Sequence, residues 1–302
     1  MQLINTLVAH TIPWIPRALV QKISRRYIAG DDLAQAVVRI RQLNAQGFSV
    51  TVDVLGETVS TLQQADNTAC EYQHLLEAIH DHGLDATISV KPTALGLLLD
   101  KPACERRLTH IVESAAHHRT AVCIDMEDVS CTQMEIDLFS QIKARYSNVS
   151  LALQAYLRRT YQDIELLLRH GNSLRICKGI YLEERSHLVD EALRDRSAIN
   201  PHFLAHVTRC FDTGVFVGAA THDAVLVEQI VALARGRGID SAKFEFQMLL
   251  GVCEPLRDRL LGMGFQVRIY VPYGKDWYGY STRRMKENPR IAGHVARAVF
   301  GF

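Results

Sequence analysis

The sequence lacks the short signatures that settle many enzyme classes. It has no GxGxxG turn, no GxSxG elbow, no Walker loop, no HExxH and no CxxC. A dinucleotide-binding open sheet would need the first, a serine hydrolase the second, a P-loop nucleotidase the third, and zinc sites the last two. Charge of one sign is missing too. The net charge is +1, and the basic residues are spread along the chain without the clustered patch that a phosphate backbone requires. Nucleic acid is therefore not an expected partner. No apolar run approaches the roughly 18–20 residues of a membrane span. The N-terminus, MQLINTLVAHTIPWIPRALV, is mildly apolar, has no basic start and is broken by Pro13 and Pro16. A cleaved signal is not expected there; a packed or amphipathic helix is.

What is present is an ordinary globular composition, 48% hydrophobic and 22% charged over 302 residues. The seven cysteines are odd in number and unpaired in spacing, which reads as reduced thiols in a cytoplasmic compartment. Short β-rich runs recur near Phe48–Val54, Ala86–Val90, Ala121–Asp125, Ser150–Ala155, Leu174–Cys177, Val215–Ala219, Ala242–Gln247 and Gln266–Val271. Amphipathic stretches lie between them, among them Leu62–His82, Met134–Tyr146, Tyr161–His170, Asp190–Thr213 and Asp223–Arg235. Eight alternations of strand and helix predict a parallel sheet, and eight strands close a barrel. The expected fold is an α/β (βα)8 TIM barrel. It forms a single domain, with an N-terminal helical segment over 1–46, the barrel over 47–288 and a tail over 289–302. A last helix folds over the C-terminal mouth. The competing doubly wound sheet would need the glycine-rich turn that is absent.

Parity within the strands assigns faces, because side chains alternate along a strand. Val50, Val52 and Val54 oppose Thr51 and Asp53, and Val122 and Ile124 oppose Asp125. The same alternation runs through the other strands. Helices cover the outside of a barrel, so the apolar face points outward. The polar face, with Asp53, Lys91, Asp125, Gln154, Arg175, Glu245, Arg268 and Tyr270, then points into or over the lumen. A structural ion-pair network is one account of this set. A site is the favoured one, since branched apolar residues fill a lumen at lower cost than buried charges.

Other clusters are weaker. Asp125, Glu127 and Asp128, with Glu245 and His222, could hold a divalent metal, but the cations of the same lumen already neutralise the acids. No metal is expected. Lys91 could serve as a Schiff-base lysine, although a neighbouring acid such as Asp125 would keep it protonated. His202 and His206 read as helix residues, and His117–His118 as a surface loop pair.

The densest segment is RIYVPYGKDWYGYSTRRMKENP, Arg268 to Pro289. It begins as a strand, breaks at Pro272 and Gly274, and restarts as a helix that places Tyr280, Arg283 and Arg284 on one face. Two guanidiniums beside phenol rings suit a carboxylate attached to something small and apolar.

The pieces DVLGE, SVKPTALG, CIDMED, LQAYLRR, RICKGIY, ATHD, FEFQML and the segment above occur in order, each at a strand end. Together they resemble monofunctional proline dehydrogenase, a flavoenzyme family with a distorted (βα)8 barrel. The resemblance implies noncovalent FAD at the barrel mouth and oxidation of L-proline to 1-pyrroline-5-carboxylate. Asp125 and Arg175 would be catalytic, with Arg175 against the flavin. Met126, Gln154, Lys178, Gly179, Ile180, Thr221 and His222 would hold the cofactor. Arg283 and Arg284 would clamp the substrate carboxylate, and Tyr270, Tyr280 and Leu249 would pack its ring. Lys91 and Asp125 would pair beneath it, and Glu57 would gate it by pairing with Arg283. The resemblance also implies a quinone acceptor and peripheral contact with the inner face of a membrane. A separate 1-pyrroline-5-carboxylate dehydrogenase is a candidate partner. Leu182 follows KGIY where some relatives carry tryptophan, and Cys177 stands where an aliphatic residue is common. Tyr270 would crowd the hydroxyl of 4-hydroxyproline, which favours proline. A metal- or lysine-dependent barrel lyase and an amino-acid-binding sensor are the alternative readings.

Overall fold

Val50, Val52 and Val54 are buried on one side of strand β1 (Ser49–Val54), and the same alternation repeats around the molecule. The computed structural model describes residue 20 and residues 24–56 and 59–281. In it, β1 is followed by β2 (Ala86–Val90), β3 (Val122–Ile124), β4 (Val149–Gln154), β5 (Leu174–Cys177), β6 (Val217–Ala220), β7 (Phe244–Leu249) and β8 (Val267–Tyr273). All neighbours pair in parallel, and β8 returns to β1, so the sheet is a closed barrel.

The helices outside it are α1 (Leu33–Ala45), α2 (Leu62–Asp81), α3 (Lys101–His117), α4 (Val129–Lys143), α5 (Thr160–Leu168), α6 (Asn200–Thr213), α7 (Ala224–Gly236) and α8 (Glu254–Gly262). They cover the outward apolar faces, and one continuous core joins strand residues such as Val52, Ile88, Ile124 and Ile269 to helix residues such as Leu75, Leu108 and Ile230. Each such branched side chain contributes about 1.5–3 kcal/mol by leaving water. Helix starts are set locally. Thr61 and Gln64 form a reciprocal capping box at α2, and Asp128 and Asp223 cap α4 and α7. Capping aspartates that closely follow strands fix where each loop ends, and so hold the mouth of the barrel. No helix among the described residues is long and apolar enough to cross a membrane.

Three local expectations change. The stretch Asp190–Thr213 is not one helix. Two 3-10 turns, Asp190–Leu193 and Arg196–Ile199, precede α6, whose first turn carries Pro201. Proline suits a first turn, where its missing N–H leaves nothing unpaired, so the helix begins there. Strand β8 runs through Pro272 to Tyr273. Pro272 pairs in register with Asp53, and its carbonyl accepts from the Ala29 N–H at 2.9 Å, so the missing donor is tolerated. The strand ends at Gly274, whose φ of +131° suits glycine. A short helical stretch then begins at Trp277, and Tyr280 packs with Val20, Ile28, Leu55 and Trp277 in a satellite cluster. Finally, His117 closes α3 and His118 caps it, so the pair belongs to a helix C-terminus, where a cation is favoured, and not to a loop.

Candidate active site

The lumen holds two polar layers. In the lower one, Arg268 donates to Glu245 at 2.7 Å and to the Val50 carbonyl at 2.9 Å, and Gln247 donates to Glu245 at 2.7 Å. Glu245 and Arg268 are the second residues of β7 and β8, so they lie deep in the barrel beside a cavity of about 210 Å³. For these two residues the ion-pair-network account is the right one. The Glu245 carboxylate therefore does not join those of the DMED segment.

The upper layer sits at the C-terminal ends of the strands. Lys91 pairs with Asp125 at 3.7 Å, as the sequence resemblance implies, and also donates to Asp53, which is nearer at 2.7 Å. Asp125 pairs more closely with Arg175, and the oxygen that faces Lys91 also accepts from the Tyr270 hydroxyl at 2.7 Å. The Arg175 guanidinium also lies over the Tyr270 ring, 5.5 Å from its centre. Burial alone would raise the Asp125 pKa, but Arg175, Lys91 and the hydroxyls of Ser89 and Tyr270 outweigh it, and the carboxyl stays below its ordinary range. Burial, with Asp125 and Asp53 nearby, pushes the Tyr270 phenol well up, so Tyr270 is a neutral donor.

Around this floor one cavity of about 350 Å³ opens at the mouth. Lys91, Asp125, Met126, Gln154, Arg175, Lys178, Gly179, Ile180, Thr221, His222, Leu249, Tyr270 and Tyr280 all line it. These are residues that the sequence groups in one site. Glu57, Arg283 and Arg284 lie outside the described residues. Two further residues join the site without having been singled out in the sequence. Arg196 lines the cavity beside Lys178 and donates to the Gly179 carbonyl at 2.9 Å, but it comes from a 3-10 turn that no strand parity marks. Asp223 stands out in the sequence only as part of the ATHD motif. It accepts from Lys178 at 2.8 Å and Asn200 at 3.0 Å while capping α7. Partial burial opposes its ionisation, yet those hydrogen bonds hold its carboxyl down at about 2.

The loop carrying Lys178 is stitched to the β4 loop. The Ala155 N–H donates to the Cys177 carbonyl at 2.8 Å and the Tyr156 N–H to the Lys178 carbonyl at 3.0 Å. Next to them Gly179 takes a φ of +100°, and a methyl group there would overlap the buried Tyr156 ring. Gly179→Ala should therefore cost about 1–3 kcal/mol of unfolding free energy through overpacking and left-handed strain. Thermal denaturation checks this, and a variant as stable as the parent would show that the loop can yield.

The remaining acids of DMED point elsewhere. Asp128 caps α4, and Glu127 accepts from the Thr93 N–H at 3.0 Å while its own N–H donates to Glu135 at 3.2 Å. Burial, reinforced by Glu127, holds the Glu135 carboxyl well above its ordinary range, so this pair is buried with at most one charge. The Leu249 N–H donates to Nε2 of His222 at 2.8 Å. His202 bonds Tyr161 and Glu191, whereas burial keeps His206 neutral, with its pKa lowered to about 4. These carboxylates and imidazoles serve separate local tasks and do not converge.

In the cavity lining, Oε1 of Gln154, whose Nε2 donates to the Glu127 carbonyl at 2.7 Å, and Nε of Arg175 are buried without a partner among the described residues. An acceptor and a cationic donor left unpaired in one cavity are costly without a ligand. A flat heterocycle that offers an N–H and a carbonyl or imine nitrogen along one edge carries the complementary groups.

The proline dehydrogenase family model matches residues 36–297. Proline dehydrogenase 2 of Bacillus subtilis (strain 168) is 37% identical over 264 residues, covering 87% of this chain and 86% of the relative. Proline dehydrogenase of Deinococcus radiodurans is 28% identical over 94% of this chain and 92% of its own length. Among solved structures, proline utilization A (PutA) from Bdellovibrio bacteriovorus superposes with a TM-score of 0.81 at 20% identity, over 89% of this chain and 33% of that one, which speaks to the barrel alone. The family match spans the whole barrel, and on it this chain is a member of the proline dehydrogenase family.

Proposed function

We propose that the protein oxidises L-proline to 1-pyrroline-5-carboxylate with FAD held at the barrel mouth, and that the electrons pass on to a quinone. The observation that carries the cofactor part is a pair of buried atoms without partners among the described residues, Oε1 of Gln154 and Nε of Arg175, on two residues that line one cavity. The isoalloxazine of FAD has an N–H and adjacent acceptors along one edge. Bound FAD would supply a hydride acceptor for the ring carbon next to the proline nitrogen.

This chain's own residues would then orient and stabilise. Arg175, held in place by Asp125, would be the fixed cation that stabilises negative charge on the reduced cofactor. Met126 and Ile180 would pack the cofactor, and Lys178, Gly179, Thr221 and His222 would bind its remainder. Tyr270, Tyr280 and Leu249 would wall the pyrrolidine ring above Lys91. Arg283 and Arg284 would take the carboxylate, with Glu57 closing over them. Asp125 is too firmly ionised, and Tyr270 too firmly protonated, for either to serve readily as the base toward the proline amine. Lys91 is held as an ammonium donor to Asp53, which does not suit Schiff-base chemistry.

Quinone access gives a reason for the apolar rim. Leu98, Leu99, Leu182, Leu193 and Val225 stand exposed on loops and helix starts of the mouth face, which suits contact with a lipid surface. Membrane contact of this peripheral kind, and transfer of product to a separate 1-pyrroline-5-carboxylate dehydrogenase, are parts of the same proposal.

Purified protein loaded with FAD should lose its visible flavin absorbance on anaerobic addition of L-proline. Protein that takes up no FAD, or FAD-loaded protein that proline leaves oxidised, would reject the reading. The second outcome, with proline binding retained in calorimetry, would favour a sensor.

A further inference from the structure

Ser89 lies in the middle of the upper layer, and in the sequence it stands out only as the first residue of SVKPTALG. Its side chain is fully buried on β2. Its hydroxyl donates to Oδ1 of Asp125 at 2.6 Å and accepts from Nη1 of Arg175 at 3.0 Å. A hydroxyl has one proton and two lone pairs, so the carboxylate takes the proton and the guanidinium takes a lone pair. The two charges thus dictate the orientation of the serine, and the serine in turn bridges both. Its backbone is anchored separately: the fully buried Tyr72 of α2 donates to the Ser89 carbonyl at 2.8 Å.

The bridge matters because an ion pair by itself does not fix an angle. Oδ2 of Asp125 is held by Tyr270 at 2.7 Å, with Lys91 at 3.7 Å. Oδ1 is held by Arg175 and Ser89. Without Ser89, Asp125 and Arg175 would keep their attraction but could rotate about each other. The unpartnered Nε of Arg175 would then no longer point in one direction.

We propose that Ser89 is a positioning residue: it sets the angle of the Asp125–Arg175 pair and thereby the strength with which Arg175 stabilises charge on the bound cofactor. This rests on the FAD reading given above. Sub-ångström control of a fixed cation is what electrostatic preorganisation requires, and a neutral bridge supplies it without altering the charge balance of the lumen.

The test compares Ser89→Ala and Ser89→Thr in FAD-loaded protein, with the flavin midpoint potential as the first readout. Ser89→Ala should keep FAD bound and shift the two-electron reduction equilibrium about tenfold toward the oxidised form, about 30 mV more negative. The kcat for proline should fall by about tenfold with KM little changed, since an interaction of the reaction step and not of substrate binding is weakened. Ser89→Thr keeps the hydroxyl and should return both quantities toward the parent values. An alanine variant with the parent's potential and kcat overturns the proposal. So does an alanine variant that cannot fold or hold FAD, because the hydroxyl is then a folding determinant. A threonine variant that holds FAD yet is as impaired as alanine also overturns it. Failure of the underlying reading is seen separately, on the unsubstituted protein, as absence of FAD uptake or of reduction by proline.

Discussion

Asp125→Asn should be among the most destabilising single changes in the lumen, and its effect should fade in acid. Asn keeps the shape of the side chain but removes the charge that Arg175 faces, and the Arg175 side chain is only 8% exposed. Breaking a buried pair from one side strands the other charge, at a cost of about 3–5 kcal/mol. The amide still accepts one hydrogen bond, so a loss of about 3 kcal/mol near neutral pH is expected. The pH dependence follows from the direction of the shift. The folded carboxyl is held below its ordinary 3.8, so its stabilising contribution is complete above that value and is lost as pH falls through the lower folded pKa. Thermal unfolding midpoints of parent and variant should therefore differ most at neutral pH and converge only as the pH falls below the ordinary carboxylate range. Midpoints that stay equally far apart over that range would mean that Asp125 is not the ionised partner of Arg175.

Arg175→Met should have the largest effect on catalysis. Methionine fills much of the volume and leaves Asp125 with Lys91, Ser89 and Tyr270 as partners, so the fold and FAD binding should survive. What is lost is a fixed cation in a site shielded from water. Removing one such group costs about 10²–10³ in rate in comparable sites. Single-turnover reduction by proline, followed by stopped-flow under anaerobic conditions, should slow by about 10²-fold with the FAD content unchanged. A loss of FAD with little change in the rate of the remaining holoprotein would make Arg175 a cofactor anchor and nothing more. The asymmetry between the two variants is informative. Asp125 is chiefly a partner for charges, whereas Arg175 lines the cavity and keeps a buried N–H that has no partner among the described residues.

Much of the fold is legible in the chain. The eight strands fall within a few residues of the runs marked by branched side chains, because a strand buried against helices must repeat apolar residues every second position. The same rule marks the inward face, so strand parity alone assigns Asp53, Lys91, Asp125, Gln154, Arg175 and Tyr270 to one lumen. Depth is not legible. Parity says which face a residue occupies but not its height along a tilted barrel, and Glu245 and Arg268 share the face of Asp125 while lying a layer below it. Partner choice is hidden for the same reason. Lys91 faces both Asp53 and Asp125, and only the stagger between β1 and β3 decides that Asp53 is nearer. Arg196 is invisible because it sits in irregular structure, where no period exists to read.

The sequence by itself determined the barrel, the inward polar set and the family, since each depends on local periodicity or on motifs read in order. Only the tertiary structure decided how the lumen charges divide into an upper and a lower layer, that Asp125 belongs to Arg175, and that Ser89 bridges them. These follow from closure of the sheet, which brings β2, β5, β8 and the end of β3 to within a hydrogen bond of one another across the lumen although Ser89 and Arg175 stand 86 residues apart. Distances of that kind are set by shear and packing of the whole barrel, and no stretch of sequence encodes them alone.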